Sequence, residues 1–231
     1  MKLFLTIILC LPVAACAQGG LRNPVIVCLL KPMAAAASFP SGATHYWAFE
    51  NNLVDGPGTC DLVDGGGLSY TTGKNGQCLQ LDDAETASSD SCAMPATTAF
   101  SIVFWFKLDG GSGSSLNWSL GVAGLVMGGG GEGGITAKVG ATADTLTSAA
   151  VTYDAWHLAV VTYDGASAQK LSVDGATFIT GTVTVEGIGG DATWSAVNGP
   201  VFYDESAPFT RALTQTEVSD IWNGGTGRFG P

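Results

Sequence analysis

Charge is scarce in this chain of 231 residues, and positive charge is scarcest. Only 13% of residues are charged, with 9 lysines and arginines against 20 aspartates and glutamates, for a formal net charge of −11. A surface of that sign repels phosphate backbones, so a nucleic-acid binder would need a local basic patch. None is present: beyond residue 37 the bases are Lys74, Lys107, Lys138, Lys170, Arg211 and Arg228, each standing alone. Histidine is rarer still. His45 and His157 both adjoin strand-forming aromatic residues, where packing is the expected role. Without Gly-x-Ser-x-Gly a hydrolytic triad has no support. No Cys-x-x-Cys or Cys/His spacing suggests zinc. The glycine-rich stretch 128–134 is not followed by Gly-Lys-Ser/Thr, so it is expected to be a flexible loop and not a phosphate cradle. Disorder is excluded from the other side, because 46% of residues are hydrophobic and aromatics occur throughout, enough to offset chain entropy.

The first 37 residues differ in kind from the rest. They carry Lys2, Arg22 and Lys31, no acid, and two apolar stretches, so residues 1–37 are read as a leader and 38–231 as one domain. The run from Leu3 to Leu11 has the length of a secretory apolar core and is too short to span a bilayer. Val13-Ala14-Ala15-Cys16 resembles the lipobox of bacterial lipoproteins, which makes Cys16 the expected acylation site. Ala35-Ala36-Ala37 before Ser38 offers a later cleavage site, and a start at Met33 or an uncleaved arm is the third reading. The expected location is accordingly the cell surface or medium, with a virion as alternative, and membrane contact only through the leader. Three cysteines remain in the domain, Cys60, Cys78 and Cys92, enough for one disulfide and one free thiol. Spacing allows Cys60 with Cys78 or Cys78 with Cys92; the first is the pair carried forward.

Within 38–231, Asp-Gly and Asn-Gly turns recur between β-rich runs: 44–49, 77–81, 99–108, 156–163, 170–173, 176–185 and 201–204. Short strands with almost no helical period predict an antiparallel sandwich. In the run from Phe100 to Leu108, period two sets Phe100, Ile102, Phe104, Phe106 and Leu108 on a core face and Ser101, Trp105 and Lys107 on the other. One short helix is expected after Thr214, whose spacing to Glu217 makes a capping box ahead of Val218, Ile221 and Trp222. The segments 109–117 and 126–135 are rich in glycine and serine and are expected to be loops.

Five stretches in order resemble the laminin-G-like domains of the concanavalin A-like lectin/glucanase superfamily, in their bacterial and phage form. They are Tyr46-Trp47-Ala48-Phe49-Glu50 with Asp55; Gly73 to Asp82; Phe100 to Phe106; Trp156 to Gly165 with Lys170 to Gly175; and Phe202-Tyr203-Asp204-Glu205 leading into Thr210 to Val218. The resemblance implies an all-β jelly-roll sandwich of two antiparallel sheets, one presenting a concave face. It also implies a structural calcium ion between the N-terminal segment and the last strand. The positions matching those ligands are Asp55 and Asp204, with Glu50 as a third.

Function does not follow from such a fold alone. Glycosidases need two carboxylates about 5 to 9 Å apart across the scissile bond. The hydrolases of the superfamily carry them as Glu-x-Asp-x-x-Glu on one strand, a pattern this sequence lacks, so the chain is not expected to be an enzyme. The leading expectation is a surface-exposed adhesion module recognising carbohydrate or a surface protein, with Trp105, Trp118, Trp194 and Tyr203 as candidate aromatic platforms. A structural component of a virion or surface assembly, with homo-oligomerisation open to it, is the competing expectation, and a glycoside hydrolase the remote one.

Overall fold

The computed structural model describes residues 39–89, 98–110, 113–120, 125–130, 133–140, 144–183 and 190–230. The expected leader, with Cys16, lies outside them, as does Cys92. Two antiparallel sheets of seven strands face each other. One, the helix-side sheet, runs β12 (Ile179–Thr182), β11 (Ala168–Val173), β10 (Trp156–Tyr163), β5 (Phe100–Leu108), β14 (Val201–Phe209), β3 (Gln77–Leu81) and β2 (Ser69–Thr72). The other, the open sheet, runs β1 (Val63–Asp64), β4 (Thr86–Ser88), β13 (Ala192–Val197), β6 (Ser115–Leu120), β7 (Leu125–Gly129), β8 (Ile135–Val139) and β9 (Leu146–Thr147).

Alternation explains the main core. Phe100, Ile102, Phe104, Phe106 and Leu108 all point between the sheets and are buried, as period two requires. From the open sheet, Leu116, Trp118, Leu120, Ala192, Trp194 and Ala196 meet them. Trp47, Trp118 and Trp194 form an edge-packed trio at the centre, with ring centroids 5.1 Å (Trp47 to Trp194) and 5.9 Å (Trp118 to Trp194) apart. Each such ring buries a large apolar area and gains edge-to-face attraction as well.

A second, smaller core lies on the outer face of the helix-side sheet. Val103, Trp105, Leu158, Val160, Ala207 and Phe209 are roofed there by Tyr46, Leu213 and the helix α1 (Gln215–Trp222) through Val218 and Ile221. The capping box is present: Thr214 accepts from the Glu217 amide, the Glu217 carboxylate accepts from the Thr214 amide, and Asn223 closes the helix in the left-handed region. Ser101 ties the entry loop down, donating to the Arg211 carbonyl and accepting from the Leu213 amide.

Three expectations are corrected. The glycine-rich segments read as loops contain the start of β6 and most of β7, whose serine, asparagine and glycine positions carry a weak β signal. Residues 44–49 make one isolated bridge, Trp47 with Ser206, next to that of Ala43 with Phe209, and Phe49 and Asn51 adopt positive φ where the chain turns away. The Cys60–Cys78 disulfide is not formed: Cys78 is free and buried, its thiol pushed up to about 12 by burial. Cys60 is disulfide-bonded.

Candidate functional site

The four aromatic residues expected as platforms are all inaccessible. Trp118, Trp194 and Tyr203 are 0% exposed and point into the core, since their positions in β6, β13 and β14 have inward parity. The Tyr203 hydroxyl donates to the Ser195 carbonyl at 2.7 Å, linking the two sheets. Trp105 does point outward, as alternation predicts, but Trp222 stacks on it at 5.4 Å and Phe229 covers it at 6.0 Å, leaving it 1% exposed. A ligand cannot stack on any of the four.

The expected metal residues are not brought together as a set. Asp55 organises the 45–60 loop: its Oδ1 accepts from the Tyr46 amide at 2.9 Å, and its Oδ2 meets His45 Nδ1 at 2.5 Å and the Cys60 amide at 3.2 Å. Those contacts use the carboxylate on the loop itself, so His45 is a polar tie as well as a packing residue. Asp204 does not pair with Arg211, which is held instead by Glu217. It lies in a β-bulge where the pairing of β14 with β5 slips between Asp204 and Ala207 and Glu205 takes a positive φ of 49°.

The bulge is chemically unusual. Asp204 Oδ2 accepts from the Lys74 and Asn75 amides at 2.8 and 3.0 Å, and Glu205 Oε1 accepts from the Asn75 carboxamide at 2.7 Å. Asp204 Oδ1, Glu205 Oε2 and Ser206 Oγ are buried without any partner. Burial, reinforced by the Glu50 charge and only partly offset by backbone donors, pushes Asp204 up to about 7, and burial pushes Glu205 to about 8. Glu50 sits beside the same turn, accepting from the Gln77 amide at 3.1 Å. Gly76 is required there, with φ at 67° and its missing Cβ pointing at the Glu50 carboxylate. Among the described residues no three histidine, cysteine or acidic side chains converge closely enough to hold a metal. The orphaned oxygens nevertheless have the chemistry a hard cation takes: carboxylate and hydroxyl. Sequence reasoning missed Glu205 and Ser206, because a bulge that turns consecutive side chains toward one turn leaves no period to read.

The open sheet presents the other candidate. Cross-strand pairing lines up Thr86, Ser195, Asn117, Gly128, Thr136 and Thr147 in one row across six strands. Ser88, Thr193 and Ser119 form a parallel row beside it. Apart from Thr147, which is exposed, these positions are half-exposed, and among the described residues no second core forms on this face. Ser195 and Thr136 donate to the carbonyls of Asn117 and Gly128 at 3.0 and 3.1 Å, which leaves their hydroxyl lone pairs free to accept. The second row continues from Ser119 through Val126 to Lys138, the one cation in either row, and no carboxylate occupies a position in them. The face can hydrogen-bond a polyhydroxylated ligand.

Residues 79–219, well over half of the chain, match the family described as the concanavalin A-like lectin/glucanases superfamily, laminin G type. The chain belongs to this family. No curated protein matches it. Among solved structures, the laminin-G-type domain is similar to the receptor-binding domain of botulinum neurotoxin type G, with TM-score 0.63 and 14% identity over 80% of this chain and 52% of that one. It is also similar to the ligand-binding domain of botulinum neurotoxin serotype D in complex with N-acetylneuraminic acid (TM-score 0.66, 13% identity, 80% and 51% covered). A third is the binding domain of botulinum neurotoxin DC in complex with rat synaptotagmin II (TM-score 0.65, 14% identity, 80% and 51% covered). The chain spans about half the length of these solved chains, and at such identity the likeness shows the fold.

Proposed function

We propose that this chain is a non-catalytic binding module that recognises a polyhydroxylated ligand, a surface glycan, across the exposed face of the open sheet. The observation that carries the reading is the six-strand row through Ser195, Asn117 and Thr136, a surface of hydroxyl and carboxamide groups without a carboxylate pair. Rows of such groups exchange hydrogen bonds with water for hydrogen bonds with sugar hydroxyls, each of modest net worth, so affinity grows with the length of glycan engaged. The binding roles named for the similar neurotoxin domains support a binding reading, with sialic acid in one case and a protein in the other. The test is a glycan array probed with the full chain and with Asn117→Arg, which sets a long charged side chain in the middle of the row. The reading expects oligosaccharide hits that Asn117→Arg abolishes without loss of folding, and no hydrolysis of the hits. Protein partners recovered in place of glycans would turn the same face into an assembly surface, the structural alternative.

Two further features complete the proposal. The leader exports the chain and Cys16 carries the lipid that tethers it to a membrane; an intact mass starting at a diacylated Cys16 is the expected result, and a mass starting at Met1 or Met33 contradicts it. A calcium ion would be held at the β14 bulge by Asp204 and Glu205, with Ser206 adjoining and Glu50 nearby, while Asp55 stays with His45. The ion would supply the positive charge that two buried carboxylates lack, and its role would be structural.

A further inference from the structure

The outer face of the helix-side sheet is not wholly roofed. At the edge of the second core, against which Trp156 packs, cross-strand register sets Trp156, Lys107 and Phe202 side by side on β10, β5 and β14. All three are half-exposed. The Lys107 ammonium lies 4.1 Å from the centre of the Phe202 ring and 5.6 Å from that of Trp156. No carboxylate among the described residues forms an ion pair with it, in a domain that carries every one of the chain's 20 acids. The rings fix the position of the ammonium by cation–π attraction and leave its charge unneutralised. Two half-exposed aromatic side chains, two strand spacings or about 9.6 Å apart, flank it.

We infer that the Trp156–Lys107–Phe202 row is a binding site for a carboxylated sugar, a sialic or uronic acid residue. The sugar carboxylate would pair with the Lys107 ammonium, and the C–H faces of the pyranose and its neighbour would lie against the flanking rings. A sugar fits better than an acidic peptide because the site sets one cation between two aromatic surfaces and offers no backbone edge, β10, β5 and β14 all being interior strands. The site is on the opposite sheet from the hydroxyl rows and does not depend on them.

The experiment titrates the full chain with sialyllactose, trigalacturonate, neutral lactose and a short polyglutamate peptide, following tryptophan fluorescence and heat. Wild type is expected to bind at least one acidic sugar, the tighter of the two naming the source of the carboxylate, and to bind lactose and the peptide about tenfold more weakly or worse. Raising the salt concentration should weaken the acidic sugar. Lys107→Met keeps the apolar stem over the rings and removes the charge, so it should lose about tenfold in affinity with an unchanged melting temperature. Lys107→Gln repeats the test should methionine disturb the fold. Asn117→Arg, on the other sheet, should bind the acidic sugar as wild type does, which separates failure here from failure of the open-face reading. Absence of acidic-sugar binding, a smaller loss in Lys107→Met, or a peptide that binds as tightly as the sugar overturns the inference.

Discussion

At Trp194 three other rings meet: Trp47 at 5.1 Å, Trp118 at 5.9 Å and Phe49 at 6.3 Å, all buried. Trp194→Ala removes the hub of that cluster and should lower the unfolding free energy by about 3 to 5 kcal/mol in urea titration. Trp194→Phe should lose clearly less, because the indole Nε1 is a buried donor with no partner and its removal sheds an unmet polar group. Equal losses would contradict the packing described. Arg211 and Glu217 give the second residue-scale prediction. The two Arg211 nitrogens donate to Glu217 at 2.6 and 3.0 Å, and these bonds, outweighing partial burial and aided by Thr214, hold Glu217 down to about 2 from 4.5. A depressed carboxylate stabilises the fold above its unfolded pKa and loses that contribution as pH falls through the folded one. Melting temperature should therefore fall between about pH 4.5 and pH 2 more steeply in wild type than in Glu217→Gln, as read by circular dichroism.

The helix α1 is the element on which the outer core depends, since Val218 and Ile221 roof the helix-side sheet and Trp222 stacks on Trp105. Thr214→Ala takes away the cap that satisfies the Glu217 amide and should cost about 1 kcal/mol. Fluorescence of the Trp105–Trp222 stack reports whether the helix frays as this happens; no change in either stability or emission would contradict the capping role. This helix was fully legible in the sequence, because a capping box and an apolar stripe are local signals. The strands of the helix-side sheet were nearly as legible, since Phe100 to Leu108 and Trp156 to Tyr163 pair long apolar or alternating runs with Asp-Gly turns. The open sheet was not. Ser115-Leu116-Asn117-Trp118-Ser119-Leu120 alternates perfectly, yet its outward serines and asparagine read as loop, and Trp118, a platform by residue type, points inward by parity. The same small polar residues that hid the strands make the candidate face. The acidic bulge was half legible: Asp204 stood out, whereas Glu205 and Ser206 depend on a slip of register that no sequence period announces.

For the whole molecule the chain divides its outer surfaces by chemistry. Among the described residues one sheet is roofed by a helix and an aromatic tail, and the other carries small hydroxylated residues with no second core on them. Against the turn at Lys74 and Asn75 the β14 bulge buries two acidic side chains that no cation among the described residues pairs with, so the domain should respond to a divalent cation as a unit. Calcium in excess should raise the melting temperature, by the equivalent of about 2.7 kcal/mol at a hundredfold excess over the dissociation constant. Glu205→Gln should abolish that gain while changing the melting temperature in chelator little, and Asp55→Asn should retain the gain on a less stable fold. A calcium response unaffected by Glu205→Gln would place the ion elsewhere.

The central claim is that ligand is bound on the open sheet. The most direct measurement is an amide-resolved NMR titration of the chain with the tightest oligosaccharide from the array. The account predicts shifts concentrated at Thr86, Ser195, Asn117, Gly128, Thr136 and Thr147, across six strands, and little elsewhere. Shifts confined to the helix-side sheet or the loops, with this row unmoved, would contradict it.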